Sequence, residues 1–152
     1  MAEATMGVEA VALKLGGVKV LHRQITSELD LAEAVREGLP SESLDFVVEA
    51  VRGWVGSRDA VLDIVGSSRT LQRKTGGRKA SLKPAESDRL ARLTRLIVRA
   101  EQAIGNPEKA QRWLMKPNRV LGGEVPFTLL DSDAGASAVE QVLGRIEYGV
   151  YS

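Results

Sequence analysis

Between Ser67 and Lys79 the chain reads SSRTLQRKTGGRK, and nearly every functional group in that stretch suits a polyanion. Arg69, Gln72 and Arg73 carry the donor patterns that pair with guanine and adenine edges. Lys74, Arg78 and Lys79 are cations for phosphates, and Ser67 and Ser68 bring hydroxyls to what reads as a helix start, where free backbone amides favour anions. From Gly66 to Lys83 there are six basic residues and no acid. We therefore assign Arg69, Gln72 and Arg73 to bases or nearby phosphates, and Lys74, Arg78 and Lys79 mainly to the nucleic-acid backbone. The bland alternative is a solvated basic helix and loop without a partner.

A second group of residues closes the sequence. Both tyrosines of a chain with 4% aromatics stand in RIEYGVYS, with Arg145, Glu147, Tyr148, Val150, Tyr151 and Ser152 side by side. Tyrosine offers large contact area at small entropic cost, which suits an interface. Gly149 is placed to end a helix, leaving a short tail with aromatic rings and a carboxylate suited to a concave pocket.

Catalytic machinery is sparse. His22 is the single histidine and there is no cysteine, so no thiolate nucleophile, thiolate metal site or histidine relay can be assembled. Most serines precede helical patterns and read as caps. We expect no enzyme, no metal and no cofactor. The stretch GGRKAS lacks the spacing of a phosphate loop, because Leu71 stands where its first glycine belongs and Arg78 follows Gly77. Arg89, Arg92, Arg95 and Arg99 recur every three or four residues, so they share one helix face. That stripe could extend a DNA surface, pair with acids of a neighbouring chain, or be a solvated face.

The elements that would position these groups read as a string of helices. Ser27 caps a helix reaching Glu37, with Asp30 completing a capping box and Gly38 just beyond. Ser41 is expected to cap the next, which carries Leu44, Val47, Val48 and Val51 at helical spacing. Ser57 starts a short helix with Val61, Leu62 and Val65, ended by Gly66, and Ser67 or Ser68 starts another through about Lys74. Two short capped helices around a tight turn are the grammar of a helix-turn-helix. TGGRKASLKPAESD reads as a loop. The longest helix follows Ser87, with Leu90, Leu93, Ile97, Ala100 and Ile104 on one face, and Gly105-Asn106-Pro107 stops it. EKAQRWLM, FTLLDS and DAGASAVEQVLGRIEY are further helical pieces, with Trp113, Leu114, Leu121 and Leu143 as core. GGVKVLHRQI reads as a short strand or an extended arm.

Composition sets the frame. The 152 residues are 43% hydrophobic and 27% charged, as in ordinary globular proteins. The net charge of +1 hides an asymmetry: Gly66 to Arg99 holds ten Lys and Arg against Glu86 and Asp88 alone, whereas the flanks are acidic. Blocks of this kind suggest one basic surface for a polyanion and other surfaces for other partners. No apolar run nears the ~20 residues of a membrane span, and the N-terminus lacks a signal-peptide layout. A cytoplasmic protein with no membrane partner is expected.

The motifs resemble a known family. Ser87-Asp88-Arg89-Leu90, Trp113-Leu114, Pro117-Asn118, Leu121-Gly122-Gly123, Pro126 and Gly144-Arg145-Ile146-Glu147-Tyr148-Gly149 look like the toxin-binding domain of the Xre/MbcA/ParS antitoxins. Gly38 to Pro40 and Arg69 to Lys74 are similar to that family's Xre-type helix-turn-helix. The resemblance covers about residues 27–152. It implies an all-α fold: a helical bundle with the helix-turn-helix, followed by a small helical toxin-binding domain. The expected division is an N-terminal arm at 1–26, a DNA-binding and dimerisation domain at 27–85, and a toxin-binding domain at 86–152. The implied function is that of a type II antitoxin that covers the active site of an NAD-degrading RES-domain toxin with its C-terminal region. The implied partners are that toxin, operator DNA for repression of its own operon, and a second copy in a homodimer and larger toxin-bound complexes. Carried over by position, Arg145, Glu147, Tyr148 and Tyr151 become neutralisation candidates, with Val150 and Ser152 in the same tail. Glu147 could pair with cations that a toxin uses for NAD phosphates, and a tyrosine ring could fill the space of nicotinamide or ribose. The competing reading is a stand-alone helix-turn-helix regulator whose C-terminal domain only dimerises.

Overall fold

The structure is a computed structural model that describes residues 2–54, 57–66 and 80–149, with side chains from Gly7 onward except Ser57. Among these residues every regular element is helical: α1 (Ala2–Lys14), α2 (Gly17–Leu21), α3 (Glu28–Glu37), α4 (Ser41–Ala50), α5 (Ser57–Val65), α6 (Pro84–Ile104), α7 (Pro107–Met115) and α8 (Asp133–Glu147). Two 3-10 turns, Arg119–Leu121 and Pro126–Asp131, lie between α7 and α8. The expected all-α class is what the chain adopts. It divides into two compact units, Met1–Arg95 and Leu96–Ser152, and α6 carries the chain from one to the other.

In the first unit α1 packs on α2, α3 and α4, and α4 on α5. Within GGVKVLHRQI, expected as a short strand or an extended arm, Gly17–Leu21 is helical. Val8, Val11, Ala12 and Leu15 follow the spacing of a buried helical stripe. Gly16 breaks that helix at φ 113, where a Cβ would lie 2.6 Å from that of Val20. Ser43 on α4 then donates its hydroxyl to the Leu15 carbonyl at 2.6 Å, satisfying a buried acceptor at the end of α1.

The capping expectation holds at α3 and fails at Ser41, and the long helix does not start after Ser87. The Ser27 side chain accepts the Asp30 N–H, the Asp30 carboxylate accepts the Ser27 N–H, and Gly38 ends the helix. Ser41 caps nothing. Pro40 occupies the N-cap and Ser41 is the first helical residue, buried, with its N–H given to the Ala80 carbonyl at 2.8 Å. Ser87 is no cap either, because α6 begins at Pro84, whose ring suits a first helical position. Glu86 reaches back to the Lys83 N–H at 2.8 Å, and this acid defines the helix start.

In the second unit α8 packs on both 3-10 turns and α7 on the second of them. Asn106 caps α7 through the Lys109 N–H, with Pro107 as its first residue. Leu114, Phe127, Leu130, Val139 and Leu143 are buried. Trp113 and Leu121, expected in the core, are half-buried.

Candidate protein-docking end of the last helix

The motif residues of the second unit build a platform for α8. Asn118 closes the PNRVLGGE loop on itself: its side chain accepts the Val120 N–H at 2.9 Å, its N–H donates to the Glu124 carbonyl, and its carbonyl accepts the Gly123 N–H. Gly122 and Gly123 sit at φ 70 and 83, a left-handed pair that an L side chain would strain. Pro126 then opens the second 3-10 turn, and Ser132 caps α8 through the Gly135 N–H at 3.0 Å. A Cβ at Gly135 would lie 2.0 Å from the Leu129 carbonyl oxygen, so glycine lets the turn and helix meet.

The far end of α8 is set by two interactions. The Tyr148 N–H donates to Gly144 at 3.1 Å and the Gly149 N–H to Ile146 at 3.2 Å, with Gly149 left-handed at φ 71. Beside this turn, Arg99 grips two acids. Its Nε donates to Glu140 Oε1 at 2.8 Å and its Nη1 to Glu147. The Glu147 hydrogen bond, then that of Glu140, holds the Arg99 pKa above its ordinary value, against partial burial. Tyr148 is 78% exposed, and Arg145 is exposed as well. The end of the helix thus presents an amphipathic ring and a cation to solvent while Glu147 has its charge matched within the chain.

The sequence-derived site residues fall out unevenly. Arg145, Glu147 and Tyr148 come together in the last turn of α8. Val150, Tyr151 and Ser152 lie outside the described residues, as do the DNA candidates Ser67, Ser68, Arg69, Gln72, Arg73, Lys74, Arg78 and Lys79. The chain on either side of that basic stretch is held. Arg89 Nη1 donates to the Val65 carbonyl at 3.3 Å, and a short antiparallel bridge joins Pro40 to Ser81. The arginine stripe is engaged inside the chain: Arg89 on Val65, Arg92 4.0 Å from Asp88, Arg95 on Glu28 and Arg99 on Glu140 and Glu147. The spacing left open a DNA extension, acids of a neighbouring chain or a solvated face and did not reveal these partners, because spacing marks a face and not what lies opposite. Among the described residues no group of His, Asp and Glu could hold a metal, and no helix is long and apolar enough to cross a membrane.

Two family models match the chain in tandem: the Antitoxin Xre-like helix-turn-helix domain over residues 30–95, and the Antitoxin Xre/MbcA/ParS C-terminal toxin-binding domain over 99–149. An Antitoxin Xre of Photorhabdus laumondii is 34% identical over 122 residues, which cover 78% of this chain and 78% of that protein. The chain belongs to the Xre antitoxin family. Other Xre antitoxins match at similar levels. That of Yersinia enterocolitica is 32% identical over 80% of this chain and 81% of its own length, and that of Pseudomonas putida 29% identical over 83% and 76%. The helix-turn-helix match ends at Arg95, the last residue of the first compact unit, and the toxin-binding match begins at Arg99. In Xre terms, the Asn118 loop, the Gly135 contact and the Arg99 grip all belong to the toxin-binding half.

Proposed function

We propose that this Xre antitoxin neutralises a RES-domain toxin that degrades NAD, by covering the toxin's active-site cleft with residues at the end of α8. The observation that carries this reading is Tyr148: a large ring, 78% exposed, on the helix-terminal turn of the segment matched by the toxin-binding model. Burying such a ring in a partner's cleft returns the free energy of apolar transfer and leaves its hydroxyl to find a polar group at the bottom. Arg145, Glu147, Tyr148, Val150, Tyr151 and Ser152 form the toxin-facing end. Inhibition is by occupation of the site, with no chemistry from this chain, and takes place in the cytoplasm.

The same chain represses its own operon. Ser67, Ser68, Arg69, Gln72, Arg73, Lys74, Arg78 and Lys79 contact the operator, as a homodimer that also forms larger toxin-bound complexes. The DNA-facing part is residues 27–85 and the toxin-facing part residues 86–152. The test is co-expression with the neighbouring gene, reading growth and cellular NAD. The neighbour alone should arrest growth and deplete NAD, and this chain should restore both. A harmless neighbour would favour a stand-alone regulator instead.

A further inference from the structure

Glu140, Gly144 and Glu147 recur at intervals of four and three residues, so they line one face of α8. Arg99 lies across that face. Its Nε is 2.8 Å from Glu140, its Nη1 bonds Glu147, and a Cβ at Gly144 would come within 4.0 Å of its Nη2. The guanidinium therefore spans the glycine between the two acids, with its side chain only 20% exposed. A rigid planar fork held at two points along a helix restrains that helix's last turn, the turn most prone to fray.

The geometry points to Arg99 as a positioning residue for toxin inhibition: by gripping Glu140 and Glu147 it holds the last turn of α8 and sets the direction in which Tyr148 leaves it. This rests on the reading that the C-terminal end inhibits the toxin. Glu147 then contributes through Arg99, rather than as a free carboxylate offered to the toxin's cations.

The test titrates full-length variants against the purified product of the neighbouring gene and reads residual NAD hydrolysis. Arg99→Ala, which removes both grips, should weaken inhibition about tenfold. Glu147→Gln, which takes the charge from one grip and barely changes the volume, should weaken it less in the same direction, and Arg99→Lys should restore only part. In a Tyr148→Ala background, Arg99→Ala should add no further loss, because the ring it positions is gone. Hydrogen exchange in the free Arg99→Ala chain should quicken at Tyr148 and Gly149 and stay unchanged across 133–143. If Arg99→Ala does not fold, Glu140→Gln carries the same comparison, because Glu140 meets Arg99 and is not one of the toxin-facing residues. Wild-type inhibition with Arg99→Ala and Glu147→Gln indistinguishable from it would overturn this inference alone. So would losses from Arg99→Ala and Tyr148→Ala that multiply in the double variant. A wild-type chain that does not inhibit at all would overturn the reading beneath it.

Discussion

The hydroxyl oxygen of Ser87 accepts a hydrogen bond from the backbone N–H of Leu39 at 2.8 Å, across 48 residues of chain, and both residues are fully buried. Around this bond the Leu82 N–H donates to the Leu39 carbonyl and the Ser41 N–H to the Ala80 carbonyl, each at 2.8 Å. Ser87 thus satisfies the one amide of the Leu39–Ser41 bend that the short bridge cannot reach. Ser87→Ala leaves a buried donor without an acceptor and should cost about 1–3 kcal/mol of stability. Urea denaturation of the two proteins checks this, and a cost near zero would mean that water or a shifted backbone replaces the hydroxyl.

Gly38 and Gly105 make a controlled pair. Both have positive φ, 94 and 84, but a Cβ at Gly38 would lie 2.5 Å from the Leu82 carbonyl oxygen whereas Gly105 faces open space. Gly105→Ala should cost about 1–2 kcal/mol, the backbone strain alone. Gly38→Ala should cost clearly more, since the bridge must also move. Thermal melts of the two variants give the comparison.

On α8 the same logic separates Gly135 from Gly144. Alanine at Gly135 would collide with the Leu129 carbonyl, while alanine at Gly144 meets only the Arg99 guanidinium at ordinary contact distance. We expect Gly135→Ala to destabilise the protein by about 1–3 kcal/mol through overpacking. Gly144→Ala should be neutral or stabilising by up to about 1 kcal/mol through helix propensity.

Acid titration should report the Arg95–Glu28 pair. Two guanidinium N–H groups, at 2.9 and 2.5 Å, hold the Glu28 carboxyl below its ordinary pKa. A carboxylate lowered by folding stabilises fully above its unfolded value and loses that contribution as the pH falls through the lowered one. The pair is half-exposed, so its worth is under about 1 kcal/mol. Glu28→Gln should therefore be slightly less stable than wild type at neutral pH, with the gap closing below about pH 4.

Operator binding should separate from neutralisation. Arg69→Ala with Arg73→Ala should weaken DNA binding by roughly 1–3 kcal/mol for each base-edge interaction removed, while toxin inhibition persists. Lys79→Ala should weaken all DNA sequences about equally and flatten the salt dependence. Electrophoretic mobility shifts at several salt concentrations distinguish the two behaviours.

Much of the architecture was legible in the residues, and the gaps have physical causes. Ser27, Asp30 and Gly38 marked α3 because capping is local chemistry. Ser41 and Ser87 misled for the same reason: both have cap-type side chains, yet tertiary structure places them inside, with Pro40 and Pro84 setting the helix starts. In GGVKVLHRQI the valines and the Gly16-Gly17 pair resemble strand or arm, although Gly17–Leu21 is helical. The last turn of α8 was recognisable from Arg145 to Gly149. Its Arg99 partner was not, because it comes from 48 residues away and spacing along one helix carries no information about another.

If the end of α8 and the residues after it inhibit the toxin, shortening the chain there must release it. Purified toxin from the neighbouring gene is assayed for NAD hydrolysis against the full chain and the chain ending at Ile146. The full chain should abolish hydrolysis at stoichiometric concentration, and the shortened chain, folded by circular dichroism, should leave most of it intact. Equal inhibition by both, or a neighbour that consumes no NAD, would contradict this.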